Sequence, residues 1–311
     1  LLDITHHQHF LERMQHLIWL TVGLSALATA LLGAWAARSG LRPLREMSEV
    51  AAGVSASSLM TRLPHANMPA ELAELSQAFN AMLGRLDDAF QRLSAFSADI
   101  AHELRTPLSN LLTHTQVTLT RPRDVAEYRE ALLGNLEELQ GMAQMVNDML
   151  YLAKAEHGLL NPKRESLVLS DEVEALLEFF LPVAEEAQIT LSRKGDASFK
   201  GDRHMLRRAL SNLLDNALRF TPAQGRVSVT LDSSADHVGI RIENTGQMIP
   251  AEVLPKLFDR FYRADPARHE GSSEHAGLGL AITQSIIKAH GGRIGCESQQ
   301  GVTRFCIELP I

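Results

Sequence analysis

Apolar residues along this chain follow three rhythms, and each predicts a different element. From Leu17 to Ala37 no residue of 21 is charged; about 20 apolar residues cross the ~30 Å hydrocarbon core of a bilayer, so this run predicts a transmembrane helix. It is longer than the apolar core of a signal peptide, the competing reading, and a helical pattern follows it at once. In that pattern Leu44, Met47, Ala51 and Val54 alternate in steps of three and four, the seam of a short coiled-coil helix with Pro43 near its start. A polar connector, SASSLMTRLPHANMP, separates it from a longer seam: Leu72, Leu75, Phe79, Met82, Leu86, Ala89, Leu93, Phe96 and Ile100. From Leu72 to Ile100 such a helix extends about 42 Å without a joint. The spacing by itself shows an apolar seam in need of a partner, and a plain coiled-coil stalk satisfies it as well.

The helix is expected to end near Leu119, because TRPRD supplies Pro122 as a breaker and Asp124 with Glu127 as a capping box for the next helix. That helix runs to about His157, with a seam of Val125, Tyr128, Leu132, Leu139, Met142, Val146, Met149 and Ala153. Asn135 interrupts the seam and can fix its register. Two such helices with a short connection make an antiparallel hairpin, and two hairpins make a four-helix bundle. From Glu165 the rhythm changes again. Short β-like runs (Leu167 to Leu169, Ile189 to Leu191, Val227 to Leu231, Val238 to Glu243, Val302 to Leu309) alternate with helices, one of them from Arg203 to Phe220. Hairpins such as VSVTLDSSADHVGIRIEN add an antiparallel component, so the expected fold is an α+β sandwich.

Charge and composition narrow the classes. With 30 basic and 37 acidic residues the net charge is −7, which gives no global footprint for nucleic acid, and direct nucleic-acid binding is not expected. Two cysteines, Cys296 and Cys306, cannot staple 311 residues and are expected to be reduced strand residues. Arg38, Arg42 and Arg45 follow the apolar run, against Arg13 before it, which places everything after residue 38 on the cytoplasmic side. Residues 1–16 then lie outside. They start abruptly without Met and are expected to be the remnant of a sensor region, in which His6, His7 and His9 offer imidazoles to a borderline metal or are simply exposed membrane-proximal residues.

The candidate chemistry begins at His102. It falls two positions after Ile100 of the seam and so points toward water. An exposed imidazole, neutral in a large share of molecules near pH 7, is a nucleophile for a phosphoryl group. The neighbouring Glu103 can accept a hydrogen bond from the other ring nitrogen, and Pro107 should kink the helix just beyond. Farther on, Asn212 and Asn216 lie four apart on one helical face with Arg219 on the same side. Carboxamide oxygens suit Mg²⁺ and the guanidinium suits phosphate, although paired asparagines also fit a solvated polar stripe. ENTGQMIP at 243–250 closes a strand, and AGLGLAI at 276–282 opens a helix through a Gly-rich turn of the kind that admits phosphate to backbone N–H groups.

The string FSADIAHELRTPL at 96–108 resembles the H box of two-component sensor histidine kinases, with Phe96, Asp99, His102, Glu103, Leu104, Arg105, Thr106, Pro107 and Leu108 all matching. Pro43 and Pro69-Ala70-Glu71-Leu72 are similarly placed to the proline and Glu-Leu pair of HAMP linkers. The Asn212 helix, ENTGQMIP, FDRFYR and AGLGLAI resemble, in order and spacing, the nucleotide boxes of the GHKL ATPases in their histidine kinase branch. IENTGQMIPAEVLPKLFDRFYRADPAR is nearest in flavour to heavy-metal sensor kinases of the copper/silver type.

This resemblance implies a multidomain chain. It comprises a sensor remnant (1–16), a transmembrane helix (17–37), all-α HAMP (38–90) and four-helix-bundle phosphotransfer (91–160) domains, and a C-terminal α/β (α+β) sandwich that binds ATP (161–311). It implies a homodimer in a bacterial inner membrane, autophosphorylation of His102 from Mg-ATP, transfer to an aspartate of a response regulator, and metal-ion sensing. Glu103 and Thr106 would assist, Thr106 by orienting water for dephosphorylation. The implied nucleotide site is Asn212, Asn216, Arg219, Phe220, Asn244, Gly246, Gly277, Leu278 and Gly279, with Asn216, and in second place Asn212, on Mg²⁺. Three residues depart from the family: Asn244 stands for an Asp that reads adenine, Met248 for a glycine, and His275 for another. The rival classes are a GHKL clamp of the DNA-repair or chaperone kind, which needs no membrane helix or H box, and a dimeric scaffold with a degenerate ATP site.

Overall fold

The structure is a computed structural model that describes residues 5–52, 62, 70–262 and 277–311, with side chains at 13–42, 62, 73–262 and 277–311. The proposed seam at 44–54, the connector apart from Arg62, His6, His7, His9, the 69–72 motif side chains and His275 lie outside those described side chains. The chain divides into two compact units, Leu1–Ala98 and Asp99–Ile311.

In the first unit, the membrane run and the helix expected after it form one element, α1 (Thr5–Ala52). Its segment Arg13–Arg42 is long and apolar enough to cross a membrane, with a mean hydropathy of 1.9 and none of it buried in protein. The hydroxyls within it do not oppose that reading. Thr21 donates to Leu17 O at 3.0 Å, Ser25 to Val22 O at 3.0 Å and Thr29 to Ser25 O at 2.8 Å, so each is satisfied by its own helix. The second long helix, α2 (Ala70–Leu119), begins in this unit. Its seam residues Leu75, Met82, Leu86 and Leu93 are exposed, while Leu83 is buried.

The second unit opens with the helical hairpin. Helix α2 runs on through Pro107 to Leu119, so the proline expected to kink the helix is carried inside it, and its ring is buried. Helix α3 (Val125–Glu156) starts where the capping box was read: Asp124 accepts the Glu127 N–H, and the Glu127 side chain accepts the Asp124 N–H. Asn135 acts as a cross-helix tie. Its Nδ2 donates to Thr115 Oγ1 at 3.0 Å, and its Oδ1 lies 3.3 Å from His114 Nδ1.

Next comes the sandwich. Strands β1 (Glu165–Val168) and β3 (Ser198–Gly201) form a small antiparallel pair. The main sheet has the order β2-β4-β5-β7-β6, where β2 is Thr190–Lys194, β4 Arg226–Ser233, β5 His237–Thr245, β6 Arg293–Gln299 and β7 Val302–Pro310. Only β2 and β4 are parallel, and the crossover between them carries α5 (Arg203–Phe220). Alternate residues of the central strands, Val227 and Val229, Ile240 and Ile242, Phe305 and Ile307, are buried. Against them pack α4 (Leu169–Glu186), α5 and α6 (Gly279–Ala289), through Leu176, Leu210, Leu213, Ile282 and Ile286 among others. Each such side chain contributes roughly 1.5–3 kcal/mol on burial. The opposite sheet face is polar, and Glu243 there pairs with Arg304 across the β5–β7 ladder. β3 was not expected from the sequence, and β6 only as a strand position at Cys296, without bounds.

One buried imidazole joins the helical layer together. His290, at the end of α6, donates from Nδ1 to Ile286 O at 2.8 Å and accepts the Asp202 N–H at Nε2 at 3.0 Å. Asp202 in turn caps α5 by accepting the Met205 N–H, and fastens the incoming chain by accepting the Lys163 N–H at 3.1 Å. Burial works against the charge on its carboxyl, yet the N–H groups of Met205, Lys163 and His204 outweigh it and hold the carboxyl below the ordinary carboxylate range.

Candidate functional site

Two clusters of the expected residues emerge. The first lies on α2. The His102 side chain is 75% exposed, and its Nδ1 stands 3.7 Å from Glu103 Oε1. That separation is beyond a hydrogen bond, but it places the carboxylate beside Nδ1 and leaves Nε2 toward solvent. Thr106 is exposed one turn farther along the same helix.

The second cluster gathers at one end of the sandwich. Asn212, Asn216 and Arg219 sit on α5 because their intervening partners, Leu213, Leu214, Ala217 and Leu218, bury the other face against the sheet. Asn216 is half-buried, with no hydrogen-bond partner among the described residues. Asn212 is differently placed: its Nδ2 donates to Gly279 O at 3.1 Å, which commits the amide nitrogen and leaves Oδ1. The Arg219 guanidinium lies 5.7 Å from the centre of the half-exposed Phe220 ring. The free carboxamide of Asn216 and the remaining oxygen of Asn212 are donors of the kind Mg²⁺ takes, so these residues fit the metal that the sequence implied.

The glycines have specific reasons. A Cβ on Gly246 would stand 2.6 Å from Phe220 O, so only glycine lets the strand end pass the end of α5. Gly277 has φ +69°, and a Cβ there would meet the Phe261 backbone at 3.0 Å. Leu278 is buried and precedes α6, whose start no side chain caps. The first N–H groups of α6 are thereby left for an external acceptor. Asn244, the penultimate residue of β5, lies between Val227 and Thr303, 4% exposed, with Nδ2 at 3.4 Å from Thr245 O. Met248 is exposed, so its side chain occupies no buried position that a glycine would leave vacant.

Several residues that bear on these clusters were not singled out from the sequence. Ser298 accepts the Ile249 N–H at 2.9 Å and lies 3.1 Å from the Thr303 hydroxyl, tying the loop after Gly246 to β6. Arg208 of α5 pairs with Asp148 of α3 and stacks 4.5 Å from the Tyr151 ring centre. Arg260 pairs with Glu156, at the end of the same helix. Burial pushes the Asp148 carboxyl above the ordinary carboxylate range although Arg208 opposes this, and pushes the Tyr151 hydroxyl up to about 12. The Ser298–Thr303 pair apart, these contacts have no local signature, because each joins residues far apart in the chain.

A fold of this kind, a helical hairpin followed by an ATPase-like sandwich, is matched by three family comparisons. Residues 35–88 match the HAMP domain, 92–158 the His Kinase A (phospho-acceptor) domain, and 201–311 the histidine kinase-, DNA gyrase B- and HSP90-like ATPase. The chain is 45% identical over 310 residues to the probable sensor protein PcoS of Escherichia coli, covering 99% of this chain and 66% of that one. It is 42% identical over 311 residues to the sensor histidine kinase CusS of Escherichia coli K12, covering 99% and 64%. The sensor protein CopS of Pseudomonas syringae pv. tomato is 45% identical over 276 residues, covering 89% and 57%. The chain thus spans somewhat less than two thirds of the length of these relatives. Among solved structures, Acinetobacter baumannii histidine kinase AdeS superposes with a TM-score of 0.57 at 24% identity, over 67% of this chain and 97% of that chain. At that identity the likeness is one of fold. With HAMP, phospho-acceptor and ATPase domains in this order, the chain belongs to the sensor histidine kinases.

Proposed function

We propose that the chain is the signalling part of a membrane-anchored, homodimeric sensor kinase that phosphorylates His102 from ATP and passes the group to an aspartate of a response regulator. The observation that carries this reading is the open His102 imidazole beside Glu103, in a chain that also holds an ATPase-family domain. Nε2 of His102 attacks the γ-phosphorus, the β–γ bridging bond breaks and ADP leaves with its electron pair; Glu103 steadies the positive charge that develops on the ring. Positioning and charge neutralisation do most of the work in such a transfer.

Asn216 is assigned to hold Mg²⁺, which would draw charge off the transferring phosphate, with Arg219, Phe220, Gly246, Gly277, Leu278 and Gly279 around the nucleotide and Asn244 at the base. Thr106 is assigned to orient water for dephosphorylation of the regulator. Residues 17–37 anchor the chain in a bacterial inner membrane with 38–311 cytoplasmic, and 38–90, 91–160 and 161–311 serve as relay, phosphotransfer and ATP-binding domains. The resemblance to heavy-metal sensor kinases supports a metal ion as the signal.

The test is incubation of the membrane-embedded or detergent-solubilised chain with γ-labelled ATP. Acid-labile, base-stable label is expected on the wild type and none on His102→Gln, with ATP binding retained. Label persisting in that variant removes His102 as the acceptor.

A further inference from the structure

The carbonyl of Gly279 is held from two sides. Asn212 reaches it from α5 with Nδ2 at 3.1 Å, and Thr283 reaches it from one turn along α6 with Oγ1 at 2.9 Å. Thr283 is fully buried between the two helices, with its hydroxyl 3.5 Å from Ala209 O of α5, too deep to touch a ligand. A threonine bonding back to the carbonyl four residues earlier is common in helices. A second donor from a neighbouring helix on the same carbonyl is not required by helix geometry. The pair fixes the peptide that opens α6, the helix whose start carries no capping side chain.

A carbonyl accepts only donors, so the Asn212 carboxamide must present its NH₂ to Gly279. Its primary attachment in the fold is therefore to the turn, through a bond that a metal ion cannot replace. We propose that Asn212 is a positioning residue, which with Thr283 sets the Gly279 peptide and thereby aims the first amides of α6 at nucleotide phosphate, with or without a metal. This rests on the nucleotide-binding reading given above. Asn216 has no such tie and remains the metal ligand of that reading. The two asparagines of the stripe, alike in sequence, thus divide the labour: one shapes the phosphate cradle and the other binds the cation.

The test is ADP binding to the solubilised full chain, measured in excess magnesium and again in EDTA. Asn212→Ala should weaken binding by the same factor in both, about fivefold for one lost tether. Thr283→Val, which removes the donor and keeps the shape, should also weaken binding in both conditions, and Thr283→Ser should restore it. Because both residues act through one carbonyl, the double variant should lose less than the product of the single losses. A loss for Asn212→Ala that appears only with magnesium makes it a metal ligand and overturns the proposal. So do independent, multiplying losses, or a Thr283→Val protein that binds as the wild type. Wild-type protein that binds no ADP in either condition refutes the nucleotide reading itself, an outcome distinct from these.

Discussion

At the scale of single residues, the reading that puts Asn244 at the nucleotide base, where the resemblance implies an aspartate, makes a specific prediction. An aspartate there can only accept hydrogen bonds near neutral pH, whereas a carboxamide offers an acceptor and two donors. Asn244 is buried, and its side chain's single hydrogen bond among the described residues, at 3.4 Å, is long for a committed one. The carboxamide is therefore able to turn its oxygen to the adenine amino group and its nitrogen to the neighbouring ring nitrogen, a pairing that guanine, with a carbonyl and a protonated nitrogen, does not match. ATP should remain preferred over GTP. Asn244→Ala is expected to cost about 1 kcal/mol of ATP affinity, roughly fivefold, and to narrow the ATP to GTP ratio. Competitive titration of both nucleotides checks this: unchanged affinities and an unchanged ratio would mean that Asn244 does not read the base.

At the scale of elements, helix α3 touches the sandwich through Asp148, Tyr151 and Glu156, and the first of these contacts makes an unequal prediction for its two partners. Burial already disfavours the charge on Asp148, and Arg208 supplies the compensation. Arg208→Ala leaves a partly buried carboxylate with the Gln144 side chain, 2.8 Å away, as its remaining donor, while Asp148→Asn leaves a neutral amide that still accepts from the guanidinium. The first should lower unfolding free energy by about 2 kcal/mol and the second by well under 1. Thermal unfolding at neutral pH compares them, and equal losses would place the value of the contact in packing of the aliphatic stem instead of charge. The same scale shows what could be read in advance. The capping box at Asp124, the end at Leu119 and the strands centred on Val229, Ile240 and Phe305 follow from local spacing. β3 escaped because Ser198–Gly201 buries little beyond Phe199, and the bounds of β6 because an edge strand carrying Gly295 and Glu297 has only Ile294 and Cys296 to mark its rhythm. Within the candidate site, the residue types were legible but not their attachments. The commitment of Asn212 to Gly279, and the support of the Asn244 loop by Ser298, arise between segments 67 and 49 residues apart, and no spacing rule reaches so far.

At the scale of the whole molecule, the question is what covers the apolar residues that one chain leaves bare. In the hairpin, Leu132 is 68% exposed, Leu139 53% and Leu112 55%, although each lies on a helix whose other face is packed. Of the eight seam residues expected on α3, Met149 is buried within the chain, while Val125, Leu132, Leu139 and Val146 are exposed. This is the division expected if the upper part of the hairpin is closed mainly by contacts within the chain and the lower part by a second copy. A pair of buried leucines in each of two chains would contribute roughly 6–12 kcal/mol of transfer free energy, before the cost of association, enough to decide whether the dimer forms. Replacing Leu132 and Leu139 together by Asp should therefore halve the mass of the solubilised chain measured by light scattering. The ATP-binding sandwich, which carries its own core of Leu210, Leu213, Ile240 and Phe305, should keep its ADP affinity. A mass that stays that of the wild type would mean that these leucines do not hold a second copy. A halved mass together with lost ADP binding would show that the sandwich depends on the hairpin's contact with a second copy.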